Sequence, residues 1–97
     1  MDDNNPPLQI EIDDAVARGI YTNLALLTHS ETEFILDFLF IQPQTPKTKV
    51  LARLVTSPVH AKRLMAALSD NLAKYEARFG AIAAGEPEAA SRPGVYQ

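Results

Sequence analysis

Residues 19–43, Gly19 to Pro43, read GIYTNLALLTHSETEFILDFLFIQP, two strongly apolar runs separated by the polar stretch Thr28-His29-Ser30-Glu31-Thr32-Glu33. Two runs of this kind around a short polar break predict a β-hairpin. The second run, Phe34 to Ile41, is dense in aromatic and β-branched residues, which suit a pleated packed surface better than a helix. Alternation places Phe34, Leu36, Phe38 and Phe40 on one face and Ile35, Asp37, Leu39 and Ile41 on the other. Both faces are therefore apolar except at Asp37. One helix covers one face, so the second predicts a further cover, most simply another copy of the chain.

Upstream, Leu8-Gln9-Ile10-Glu11-Ile12 alternates and predicts a half-buried strand with Leu8, Ile10 and Ile12 inward. Asp13 is expected to cap a short helical turn over Asp14 to Arg18, and Gly19 to end it. The next strand, Ile20 to Thr28, sets Tyr21, Asn23, Ala25 and Leu27 on one face and Ile20, Thr22, Leu24 and Leu26 on the other.

Downstream, Pro43 and Pro46 break the ladder and predict a turn over Gln42 to Pro46. Lys47 to Thr56 reads as a fourth strand with Val50, Ala52 and Leu54 inward and Lys47, Lys49 and Arg53 outward. A helix follows over residues 58–79: Ser57 is a good N-cap, Pro58 suits the first helical position, and Gly80 suits the position past the end. Ala61, Met65, Leu68, Leu72, Tyr75 and Phe79 form one apolar stripe, with Leu64 beside it, and Asp70 with Lys74 makes an i,i+4 pair. The stripe has coiled-coil spacing, but packing on the chain's own sheet is the expected use of so short a seam.

These elements predict an α+β fold, a four-stranded mainly antiparallel sheet followed by one long C-terminal helix (ββββα), dimerising or forming a higher oligomer. Residues 1–7 are expected to be a flexible arm, 8–80 a single domain and 81–97, rich in Ala, Pro and Gly, a flexible tail. Self-association is expected through Ile35, Leu39, Ile41, Tyr21 and Leu27. At 97 residues and 46% hydrophobic content, the chain is one small domain, for which a second copy adds buried surface.

The formal net charge of −3 offers no general attraction to nucleic acid or anionic membrane. No apolar run approaches the ~18–20 residues of a transmembrane helix, and the opening MDDNNPP is acidic, unlike a signal peptide. With no cysteine there are no disulfides and no thiolate metal sites. A cytoplasmic location is expected, with no membrane partner.

No Gly-rich phosphate loop, GxSxG elbow, HExxH helix or Cys/His metal spacing occurs, so neither an enzyme nor a cofactor or metal is expected. His29 and His60 read as ordinary surface histidines. His29-Ser30-Glu31 has the composition of a catalytic trio, but neighbours on a tight loop do not aim at one another as nucleophile, base and orienter must. Asp37, a carboxylate in an apolar strand, needs a partner, and a salt bridge to Arg53 on the next strand is preferred to a functional acid.

From Pro46 to Ser69 the chain carries Lys47, Lys49, Arg53, Lys62 and Arg63 and no acidic residue. These five form the candidate anion-binding set, although lysines on an edge strand also deter aggregation. No exposed aromatic residue is evident beside them as a base-stacking platform.

Several blocks, in order, resemble a small bacterial domain family of unknown function, numbered thirty-four sixty-seven. They are Gly19-Ile20-Tyr21-Thr22-Asn23-Leu24, Glu33 to Phe38, Pro43 with Lys47 and Lys49, Ser57 to Leu64, Asn71, Lys74-Tyr75-Glu76 and Phe79-Gly80. The resemblance covers about residues 8–82. It implies a bacterial or archaeal source and brings no catalytic or ligand residues. The function expected is a non-enzymatic oligomeric interaction or adaptor module. The alternatives are an anion or single-stranded nucleic-acid binding domain using the basic strand and helix start, and SecB-like chaperone-type binding. The topology is shared with such domains only by analogy.

Overall fold

The computed structural model describes residues 6–83. The expected arm over 1–7 lies outside them save for residues 6 and 7, and the expected tail over 81–97 save for 81–83. The elements run α1 (Asp14–Ala17), β1 (Leu24–His29), β2 (Phe34–Leu39), β3 (Val50–Thr56) and α2 (Pro58–Phe79). The strands form one antiparallel sheet in the order β1-β2-β3.

The hairpin follows from its loop. Ser30 N–H donates to the Glu33 carbonyl at 2.9 Å, while the Ser30 hydroxyl oxygen accepts from the backbone of Thr32 and Glu33 at 3.3 and 3.2 Å. A serine that satisfies the amides of its own turn closes the loop tightly and fixes the register. His29 therefore stands opposite Phe34, and Leu24 opposite Leu39. In the second pair, Phe38 faces Ala52 but Leu39 faces Val50, so Leu51 is the extra residue of a bulge that bends the start of β3.

The buried apolar residues are Leu26 and Leu39, and with them Asp37. All three lie on the face that also carries Leu24, Ile35 and Arg53. The opposite face carries Leu27, Leu36 and Leu54. There Leu36 is half-buried while Leu27 and Leu54 stay 60% and 53% exposed.

Among the described residues the sheet has three strands rather than the expected four. Leu8–Ile12 pairs with no strand among the described residues, and Leu8, Ile10 and Ile12 are 86%, 86% and 64% exposed. Alternation states which side chains want cover; it does not name the neighbouring strand that supplies it. β1 and β2 are shorter than their apolar runs: past Asn23, whose N–H still donates to the Leu39 carbonyl at 3.0 Å, Ile41 is held by the Asn23 side chain.

Helix α2 has the expected bounds and caps. The Ser57 hydroxyl oxygen accepts from His60 N–H at 3.1 Å, Pro58 opens the first turn, and Gly80, at φ 98°, donates its N–H to the Glu76 carbonyl at 2.9 Å. Lys74 meets Asp70 at 3.0 Å. The expected packing of this helix on its own sheet does not occur: none of its residues is buried. The reason lies in the connection. Ser57, in extended conformation, is the single residue between β3 and α2, and helix–sheet reversals ordinarily take roughly 2–6. A connection this short does not bring the helix back over the sheet.

Candidate functional site

Asp37 and Arg53 occupy directly opposed positions on β2 and β3. Arg53 Nε donates to Asp37 Oδ1 at 2.7 Å and Nη2 to Oδ2 at 2.8 Å, a bidentate fork. The Asp37 side chain has no solvent exposure while that of Arg53 keeps 52%. The carboxylate expected to need a partner has the one expected for it, and with both oxygens engaged it serves the sheet.

A concave feature of the surface lies at the other end of the strand pair. Tyr21, Phe40, Lys47, Thr48, Lys49 and Leu51 line an open cleft of about 530 Å³. Three local causes assemble it. The side chain of Asn23 acts as one more rung of the β1–β2 ladder, donating Nδ2 to the Ile41 carbonyl at 2.9 Å and accepting from Ile41 N–H at 2.8 Å. That holds Tyr21 edge-on to Phe40, ring centres 5.9 Å apart and planes at 69°. After the proline turn, the Thr48 hydroxyl donates to the Phe40 carbonyl at 2.8 Å, drawing Lys47 and Lys49 to the same place.

Tyr21 is 79% and Phe40 39% exposed, so two aromatic rings border a cleft that two lysines also line. Such a wall accepts a flat apolar group on the rings and an anionic group at the ammonium ends. Sequence reasoning found the lysines and missed the rings. The signal was present in the hairpin register, because continuing Leu24 opposite Leu39 beyond the strands sets Tyr21 diagonal to Phe40 on one face.

The five cations are not gathered in one place. Lys47 and Lys49 border the cleft, Arg53 is tied to Asp37, and Lys62 and Arg63 lie on α2 beyond the far end of β3. Strand β3 alone, Val50–Thr56, separates these groups by about 20 Å at 3.3 Å per residue.

Nor do the residues expected to mediate self-association share a face. Ile35 and Leu39 lie on the Asp37 face, where Leu39 is buried within the chain, whereas Leu27 lies on the opposite, open face. Tyr21 belongs to the cleft and Ile41 to the Asn23 clamp. His29 stacks on Phe34 at 5.2 Å, and His60 sits in the first turn of α2. In the trio His29-Ser30-Glu31, the Ser30 oxygen accepts from its own loop. Among the described residues, no three His, Asp or Glu side chains gather as a metal would require, and no helix is long and apolar enough to cross a membrane.

These features define a class, a small α+β protein built as a three-stranded antiparallel meander with one long helix continuing from its last strand. The chain belongs to the family described as Protein of unknown function (DUF3467), which it matches over residues 1–84. No curated protein and no solved structure matches it.

Proposed function

We propose that this protein is a non-enzymatic interaction module that works as an assembly of identical copies. In this reading the apolar stripe of α2 packs on the open sheet face of a second copy. One observation carries it: a 22-residue helix with Leu64, Met65, Leu68, Leu72, Tyr75 and Phe79 at 43–65% exposure buries none of its residues. Fully covering a large apolar side chain gains ~1.5–3 kcal/mol, so finishing the burial of this stripe gains on the order of 5–10 kcal/mol before entropic costs. Among the described residues two apolar side chains are buried, a slender core for a lone domain. We place the assembly in a bacterial cytoplasm.

The test is mass by light scattering at micromolar concentration in low and high salt. A dimer or larger species that persists in high salt supports the reading, because apolar burial is not screened. A monomer sinks it.

A second reading is favoured by the cleft. Tyr21 and Phe40 would stack a base of single-stranded nucleic acid and Lys47 and Lys49 its phosphates, despite the overall acidity. A labelled oligonucleotide whose anisotropy rises at low salt and falls back at high salt supports it, and no rise at low salt excludes it. SecB-like binding of unfolded chains is a third reading, supported by the same exposed apolar stripe. It requires that surface to stay open after assembly, so the assembled species must retain an unfolded client protein.

A further inference from the structure

We propose that Leu8–Ile12 of one copy adds to the outer edge of β3 in a second copy, as the fourth strand of that copy's sheet. This rests on the self-association reading above and specifies its geometry. The segment has the alternation of a half-buried strand, yet it is exposed and joins no strand among the described residues. Strand β3 is the last of the sheet order and presents seven residues of edge. An exposed edge of this length is a template for an added strand.

Charge and pattern select one register. Antiparallel addition keeps the sheet of one kind, and Ile10 opposite Leu54 sets Leu8 opposite Thr56 and Ile12 opposite Ala52. The three apolar side chains then continue the open face of Leu27, Leu36 and Leu54. Glu11 falls opposite Arg53, and Asp13 and Asp14 run on toward Lys49 and Lys47. With Gln9 opposite Val55, the five pairs of Leu8–Ile12 lie in the regular part of β3, beyond the bulge at Leu51. The acidic start of the chain and its basic middle, unrelated within one copy, become neighbours between two.

The native chain has no cysteine, so engineered pairs are unambiguous. A copy carrying Ile10→Cys is mixed and refolded with a differently tagged copy carrying Leu54→Cys, then oxidised. Opposed residues of an antiparallel pair have Cα atoms about 4.5–5.5 Å apart, within disulfide reach. A cross-linked heterodimer is expected from this mixture and not from Ile10→Cys with Leu27→Cys, which probes the opposite edge of the sheet.

Hydrogen exchange on the unmodified protein guards against misfolding of either variant. The amides of Leu8–Ile12 are expected to exchange at least ~100-fold more slowly than in a free peptide. A stable dimer in which those amides exchange freely, or in which Leu27→Cys captures Ile10→Cys, overturns the strand addition and leaves the self-association reading standing. A monomeric mass overturns that reading itself.

Discussion

The guanidinium of Arg53 grips both carboxylate oxygens of the fully buried Asp37, at 2.7 and 2.8 Å, across the β2–β3 pair. Removing the cation strands a buried charge, which costs more than the pair contributes. Arg53→Ala is expected to destabilise by about 3 kcal/mol and Arg53→Lys by about 1–2, since an ammonium cannot supply the planar fork. Urea midpoints at one fixed protein concentration give both values; a loss under ~0.5 kcal/mol for Arg53→Ala would show the pair to be incidental.

The Asn23 clamp extends the hairpin by one rung through a side chain. Asn23→Ala leaves Ile41 without both partners and should lower stability by about 1–2 kcal/mol. Asn23→Asp keeps the acceptor for Ile41 N–H but turns its donor into a second acceptor against the carbonyl, so no rescue is expected. Loosening of Tyr21 against Phe40 should accompany the loss, read as a change in tyrosine near-ultraviolet signal.

Gly80 ends α2 at φ 98° and ψ 166°, a backbone region that glycine alone adopts easily. A methyl group there meets nothing within 4 Å, so Gly80→Ala isolates the conformational cost. The expected loss is about 1–2 kcal/mol by thermal or urea unfolding. A neutral result would mean that the chain leaves the helix differently in solution.

Paired glutamates at Leu68 and Leu72 place two charges in the exposed stripe of α2. The double variant is expected to lose the assembled mass, whereas Lys74→Gln, which removes only an exposed pair with Asp70, is expected to keep it. Light scattering reads both. Retention of assembly by the glutamate variant would remove the helix from the interface.

For the nucleic-acid reading, Lys47→Gln with Lys49→Gln should weaken binding and flatten its dependence on salt by about 1.4 in log–log slope, roughly 0.7 per phosphate contact. The matching Lys62→Gln with Arg63→Gln should leave the slope unchanged, because those cations lie beyond the opposite end of β3. Equal slopes for the two double variants would dissolve the cleft as the contact.

Local readings of the chain were faithful at α2 and in the hairpin loop, where the determinant was itself local, whereas the Asp13 side chain, expected to cap α1, makes no capping bond. Ser57, Pro58 and Gly80 delimit α2 because capping groups act on the nearest turn, and the polar break after β1 closes at Ser30 because its hydroxyl reaches its own loop. Asp37 and Arg53 were also matched in advance, since a buried carboxylate has few escapes and the adjacent strand offered one cation at mid-length. Tyr21 and Phe40 were missed as a pair, though both were legible, because their meeting depends on a register that a one-residue slip would have reversed.

The sequence by itself determined the apolar faces, the caps, the turn chemistry and the family, all of which reside in short windows of residues. Only the tertiary structure decided which faces find cover within one chain. Leu8–Ile12 and the stripe of α2 carry patterns written for burial, yet α2 follows β3 after one residue without being buried, and among the described residues no strand receives the segment. Periodicity encodes the demand for a neighbour, while the reach and direction of the connections determine whether the same chain can supply it.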